Sequence, residues 1–184
     1  MVGLVGVTGL AGSGKTTAIE ELLPLTSGRR LYLGQTVIDE VCARGLSGTR
    51  DDERSVRIDL RRKKGLAAFA MPYAEVVAEC FRNQIPVFVD AILTQEEFSL
   101  LAPRVPNGCA HLLAIEASFD IRSARLASRP KRPINAGELR ERDNYEVKEL
   151  GTDAVIAAAE YTIRNEGTRD EFYRQLAAFV NSCG

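Results

Sequence analysis

Gly9-Leu10-Ala11-Gly12-Ser13-Gly14-Lys15-Thr16 is the stretch that decides the fold. It fits G-x-x-x-x-G-K-[ST], a loop whose chemistry is explicit. Glycines let the backbone curl until its N–H groups converge on phosphate oxygens. The N-terminus of the helix that follows adds a positive end. On this pattern residues 12–17 (Gly12, Ser13, Gly14, Lys15, Thr16 and Thr17) should bind the phosphates of ATP. Lys15 should reach the β- and γ-phosphates, and the Thr16 hydroxyl should ligate Mg²⁺.

The flanks are what such a loop needs. Residues 3–7, GLVGV, read as a buried strand, and residues 15–24 as a helix ended by Pro24. Further out, apolar runs at 30–34, 86–92, 110–116 and 160–165 alternate with helical patterns at 36–44, 52–70 (broken near Gly65), 73–83, 95–101, 119–128, 137–149, 153–159 and 170–180. Strand alternating with helix predicts a parallel sheet covered on both faces. The proline-containing stretch 129–137 has the character of a lid loop.

The composition bounds the rest. The chain has 184 residues, 24 basic and 25 acidic, with a formal net charge of −1 and 45% hydrophobic residues. That suits one domain with a sizeable core. No apolar run approaches a membrane span, and no basic residue precedes the apolar N-terminus as a signal peptide requires. A cytoplasmic protein is expected. The cysteines, Cys42, Cys80, Cys109 and Cys183, lack zinc-ligand spacing and should be reduced, buried thiols. His111, in the apolar stretch CAHLLAIEA, should be a satisfied histidine of a core strand.

Nucleotide loops serve switches, motors and kinases. No Asn-Lys-x-Asp signature for guanine is present. The apolar strand Pro86-Val87-Phe88-Val89-Asp90 is followed by Ala91 rather than Glu, which suits metal or acceptor positioning more than water activation. Between residues 122 and 142 lie Arg122, Arg125, Arg129, Lys131, Arg132, Arg140 and Arg142 against Glu138 and Glu141. Mobile cations closing over a triphosphate would stabilise a transferring phosphoryl group and exclude water. Lys15 and Asp90 are therefore candidate catalytic residues, together with arginines of this segment. A second basic stretch, residues 54–64, is interleaved with acids, and Arg61 is its candidate acceptor contact.

These residues resemble the nucleoside monophosphate kinase-like P-loop kinases. Within them the chain looks most like dephospho-CoA kinase and a largely archaeal family of adenylate-kinase-like proteins. The resemblance rests on residues 9–17, on VFVDAI at 87–92, on ASFDIRSARLASR at 117–129, and on 141–168. In the last, Ile163-Arg164-Asn165-Glu166-Gly167-Thr168 is similar to the family's asparagine-x-glycine-serine/threonine ending, which places Asn165 near the adenine pocket. Arg122 and Arg129 sit where the family places lid and phosphate arginines, so the resemblance implies catalytic roles for both. The expected fold is a three-layer α/β P-loop NTPase domain over residues 1–184, with a five-stranded parallel sheet of order 2-3-1-4-5. Acceptor-binding helices are expected at about 35–83 and a small lid at about 129–137.

The departures from this family lie on the acceptor side. Relatives often carry Gly-Asp with an Arg three residues on after the second strand, and Asp-Gly-x-Arg after the third. Here the stretches read Gly34-Gln35-Thr36-Val37-Ile38 and Asp90-Ala91-Ile92-Leu93. Gln35, Arg61 and Asp90 are left as candidate acceptor contacts. The acceptor is then unusual and less anionic, or transfer is slow. The leading expectation is transfer of the γ-phosphoryl of ATP·Mg²⁺ to a nucleotide or nucleotide-like small molecule. The alternatives are a divergent nucleotide-binding regulatory protein with weak transferase activity, and a kinase acting on a nucleic-acid base or end, which near-neutral charge disfavours.

Overall fold

The computed structural model describes residues 3–130 and 132–183. Five strands make one all-parallel sheet in the order β2-β3-β1-β4-β5. They are β1 (Leu4–Thr8), β2 (Arg29–Tyr32), β3 (Val87–Asp90), β4 (Ala110–Glu116) and β5 (Tyr161–Arg164). β1 lies at the centre with every residue buried, as the continuous apolar run LVGV requires of a strand covered on both faces. The expected strand order is the one found.

On one face pack α1 (Lys15–Thr26) and α9 (Arg169–Cys183), enclosing Val5, Val7, Ile19, Leu22, Leu113, Ile115 and Leu176. On the other lie α2 (Gln35–Ala43), α3 (Arg50–Lys64), α4 (Ala74–Arg82), α5 (Gln95–Leu101) and α8 (Thr152–Ala157), closing over Leu4, Val87, Val89 and Leu112. Each such side chain contributes about 1.5–3 kcal/mol when fully buried. α6 (Phe119–Ala127) and α7 (Ala136–Lys148) form a third, smaller unit. Its core of Leu126 and Leu139 holds Ala11 of the glycine-rich loop.

Some boundaries differ from expectation. α1 continues through Pro24 to Thr26. Pro24 sits in the last turn, opposite the carbonyl of exposed Glu20, so water can take the bond that the ring forgoes. The end is instead set by Ser27 at φ 51, whose N–H donates to the Leu23 carbonyl. α3 begins at Arg50 because Thr49 and Asp52 form a capping box, and it stops at Gly65, φ 79, before a short 3₁₀ turn over Leu66–Phe69. Cys42 is exposed, contrary to expectation, while Cys80 and Cys183 are buried. His111 is satisfied, but by the Glu160 carboxylate at 2.6 Å near the sheet margin rather than inside the core. No helix of the described residues is long and apolar enough to cross a membrane.

Candidate active site

The parallel sheet brings the carboxyl ends of β1 and β3 together, in the register Val7↔Asp90. Ligands of open α/β sheets bind at such strand ends. The loop after β1 is shaped by its glycines. Gly9, Gly12 and Gly14 have φ of 133, 84 and 108. A Cβ on Gly9 would stand 2.2 Å from the Ile115 carbonyl oxygen, and one on Gly14 2.3 Å from Asn165 Nδ2. Gly14 gives α1 no side-chain cap, so the first N–H groups of the helix face the cradle. Ser13 Oγ is buried there with no hydrogen-bond partner.

Lys15 folds over this loop, its Nζ donating to the carbonyls of Gly9 at 2.6 Å and Leu10 at 3.1 Å. Burial lowers its pKa from the usual value to about 8, opposed mainly by the negative charge of Glu146. Next along α1, the Thr16 hydroxyl donates to Asp90 Oδ2 at 3.3 Å. Asp90 is buried, and the same oxygen accepts from Arg30 Nη2 at 2.5 Å. A hydroxyl beside a carboxylate at the foot of a phosphate cradle is a hard-oxygen donor set of the kind Mg²⁺ takes. The orphaned Ser13 hydroxyl and the cradle that a Cβ would fill fit a polyphosphate. Among the described residues no cluster of three or more His, Cys, Asp or Glu residues is present, so these residues would leave most magnesium ligands to water and phosphate.

Other expected residues are elsewhere in role. Asn165 donates from Nδ2 to the Ser13 carbonyl at 2.8 Å, and its own carbonyl and Oδ1 accept from Arg125 at 3.0 and 3.2 Å. Asn165 and Arg125 thus clamp the loop from behind. Arg122 is buried with its guanidinium committed: Nη1 and Nη2 donate to Asp143 at 3.0 and 2.7 Å, Nη1 to the Ala11 carbonyl at 3.0 Å, and Nε to the Ala117 carbonyl. It fastens the loop to α7 instead of facing a phosphoryl group, because Asp143 and two backbone carbonyls neutralise it inside the fold. Arg61 is enclosed in the scaffold instead of being presented to a cleft. It is buried over the Phe69 ring at 4.3 Å and faces Glu97 at 3.6 Å. Gln35 opens α2 on the surface and donates to Asp39.

The lid cations also divide. Arg132 pairs with Glu53 of α3 at 2.9 Å. Arg140 lies over Phe119 at 4.8 Å, and Arg142 Nε donates to Glu146 at 2.7 Å. Arg129 is exposed beyond the end of α6, and Lys131 lies outside the described residues. α3 reaches the lid through Arg50, which donates to the Pro133 carbonyl at 3.0 Å.

Sequence reasoning missed Arg30 and Glu146. Arg30 alternates with Leu31 along β2, a period-2 signal that one face is polar. Arg142 and Glu146 stand four apart on one helical face, the spacing of a pair.

The model of the AAA domain family matches residues 5–148. A UPF0200 protein of Thermococcus onnurineus is 30% identical over 183 residues, covering 96% of both chains. Among solved structures, TT1252 from Thermus thermophilus superposes with a TM-score of 0.64 at 20% identity, covering 97% of this chain and 96% of that one. Dephospho-CoA kinase from Campylobacter jejuni does so at 0.55 and 12% identity, over 99% and 97%. At such identities these structures show a shared P-loop kinase fold. The chain belongs to the AAA domain family and to the UPF0200 proteins.

Proposed function

We propose that this chain is an ATP-dependent phosphotransferase acting on a nucleotide or nucleotide-like small molecule, as nucleoside monophosphate kinases and dephospho-CoA kinase do. The observation that carries the reading is the meeting of Lys15, Thr16 and Asp90 at the ends of β1 and β3. Structural neighbours that are kinases support it. Residues 12–17 would hold the triphosphate, with Lys15 leaving its resting carbonyls for the β- and γ-phosphates. Thr16 and Asp90 would hold Mg²⁺, which when bound neutralises phosphate charge. Asp90, already restrained by Arg30, also orients the acceptor oxygen. Bond formation from that oxygen to the γ-phosphorus would accompany cleavage of the bond to the bridging oxygen that leaves with ADP, and where the acceptor is a hydroxyl its proton would pass to Asp90. Arg129 is the lid arginine left to meet the transferring group, while Arg122 and Asn165 act by holding the loop. Small acceptors, no membrane and a cytoplasmic setting complete the reading, to which the unpaired thiols conform.

The test is incubation of the protein with labelled ATP and a panel of nucleosides, nucleoside monophosphates and dephospho-CoA. ADP formed only when one acceptor is present is the expected result. Tight ATP binding with no turnover on any acceptor would overturn the transferase reading in favour of a nucleotide-dependent regulator.

A further inference from the structure

Arg30 sits on the carboxylate that a metal ion would need. β2 and β3 pair in the register Arg30↔Phe88 and Tyr32↔Asp90, so Arg30 lies on the same sheet face as Asp90 and diagonal to it. Phe88 shares the core of α1 with Ile19 and Leu22, and from α1 the Thr16 hydroxyl meets the same carboxylate. Asp90 is 3% exposed. Its Oδ2 accepts from Thr16 at 3.3 Å and from Arg30 Nη2 at 2.5 Å. Mg²⁺ takes a carboxylate oxygen at about 2.0–2.1 Å. On this one oxygen, ion and guanidinium nitrogen would stand less than about 5 Å apart in a buried place, where two cations repel.

The hold of Arg30 is that of a latch. One nitrogen engages one oxygen, and Nε is enclosed with no partner among the described residues. Arg122, built into the scaffold, spends all three of its nitrogens. The Arg30 side chain is 33% exposed, so it has room to turn. A second seat lies two residues along the same strand face. The Tyr32 ring centre is 5.6 Å from the guanidinium carbon, within the range of a cation–π contact. Gly34 lets that ring fold back over the chain, since a Cβ there would stand 2.3 Å from it. Tyr73 Oη anchors the same residue by donating to the Tyr32 carbonyl. Leaving Asp90 therefore costs Arg30 one charged hydrogen bond while its charge keeps a partner.

We propose that Arg30 is a metal-exclusion latch, a positioning residue that holds Asp90 until it gives the carboxylate up to a divalent cation and turns onto the Tyr32 ring. A free cation gains little from this exchange, because it must break the ion pair for few protein ligands. A cation that arrives with nucleotide brings phosphate oxygens that complete its shell. The latch thus makes metal binding conditional on nucleotide. It rests on the reading of Thr16 and Asp90 as the metal site, and not on which acceptor takes the phosphoryl group.

Mn²⁺, which takes the same hard oxygen ligands, is the probe, its free fraction read by paramagnetic resonance on metal-stripped protein without nucleotide. Arg30→Met keeps the apolar stem and removes the charge. It should bind Mn²⁺ at least about tenfold more tightly than the unaltered protein, the scale of a charged hydrogen bond. Adding Asp90→Asn should erase that gain. Tyr32→Leu should weaken Mn²⁺ binding about threefold when Arg30 is present and not at all beside Arg30→Met, as loss of an exposed cation–π seat requires. Arg29→Met removes the same charge from the opposite face, where Arg29 meets Cys80, and should leave the affinity unchanged. No gain from Arg30→Met, an equal gain from Arg29→Met, or no effect of Tyr32→Leu would overturn the latch. If Asp90→Asn abolishes Mn²⁺ binding while Arg30→Met changes nothing, the latch falls and the metal site stands. If Mn²⁺ binding survives Asp90→Asn unchanged even with ADP, the metal-site reading itself falls. Thermal midpoints check folding, and Mn²⁺ alone should raise the midpoint of Arg30→Met more than that of the unaltered protein. Arg30→Gln, whose amide can still donate to Asp90, replaces the methionine variant should that one not fold.

Discussion

Lys15 shows how one side chain is tuned by its surroundings. Its ammonium is buried against two carbonyls and titrates near pH 8, well below an ordinary lysine. Below that pH it is charged and ready for phosphate; above it the charge is lost and must be regained on binding. ADP·Mg²⁺ affinity should therefore fall as pH rises from 7 to 9.5, with proton uptake visible as a buffer-dependent binding enthalpy. Lys15→Ala should abolish the thermal stabilisation by ADP altogether; unchanged stabilisation would mean that the loop does not bind nucleotide. Glu97 is the opposite case. Burial raises its carboxyl to about pH 7, against the pull of Arg61 and two backbone N–H groups. The folded state holds that proton more tightly than the unfolded one, so stability from this group is fullest below pH 4.5 and is lost as pH rises toward 7. Glu97→Gln should flatten that decline in urea midpoints between pH 5 and 7. Neither residue's titration was legible in the sequence, since neither "GKT" nor "QEEF" states how deeply the chain will bury it.

At the scale of elements, the loop is held by helices rather than by itself. Arg122 of α6 joins Asp143 of α7 and the loop carbonyl of Ala11 in one buried knot. Removing one member leaves an unpaired buried charge, so Asp143→Ala should cost about 3 kcal/mol in chemical denaturation and weaken ADP binding with it. The exposed lid contacts differ in kind. Breaking Arg132–Glu53 with Arg132→Ala should change stability by less than about 1 kcal/mol. Arg129→Ala should lower turnover far more than ATP affinity, because the residue is exposed, has no side-chain partner among the described residues and is assigned to the transferring group. An equal loss in both would assign it to binding. The sequence showed α6 and α7 and their excess of arginine. It did not show that Arg122 and Arg125 face inward to the loop while Arg129 faces out, a division set by which helical face meets Ala11 and Asn165.

Across the whole molecule, nucleotide binding should read out as global stability. ADP·Mg²⁺ at 100 times its dissociation constant should add about 2.7 kcal/mol to unfolding, measured as a concentration-dependent thermal midpoint. The fold itself was written in local pattern: apolar runs of strand length, helical periodicity between them, and glycines at 9, 12 and 14 that only a curled loop requires. The alternation gave only a parallel sheet; the order of its strands came from the resemblance that those motifs carry. Lys15, Thr16 and Asp90 could be named because they stand at fixed offsets from such elements. What only tertiary structure decided is the neighbourhood of each charge. Arg61 and Arg30 look alike in a sequence, yet one is buried between helices and the other reaches Asp90 across β2 and β3. Local propensity depends on neighbours a few residues away. The partner of an arginine depends on strand register and helix facing, which bring residues 60 positions apart within 2.5 Å.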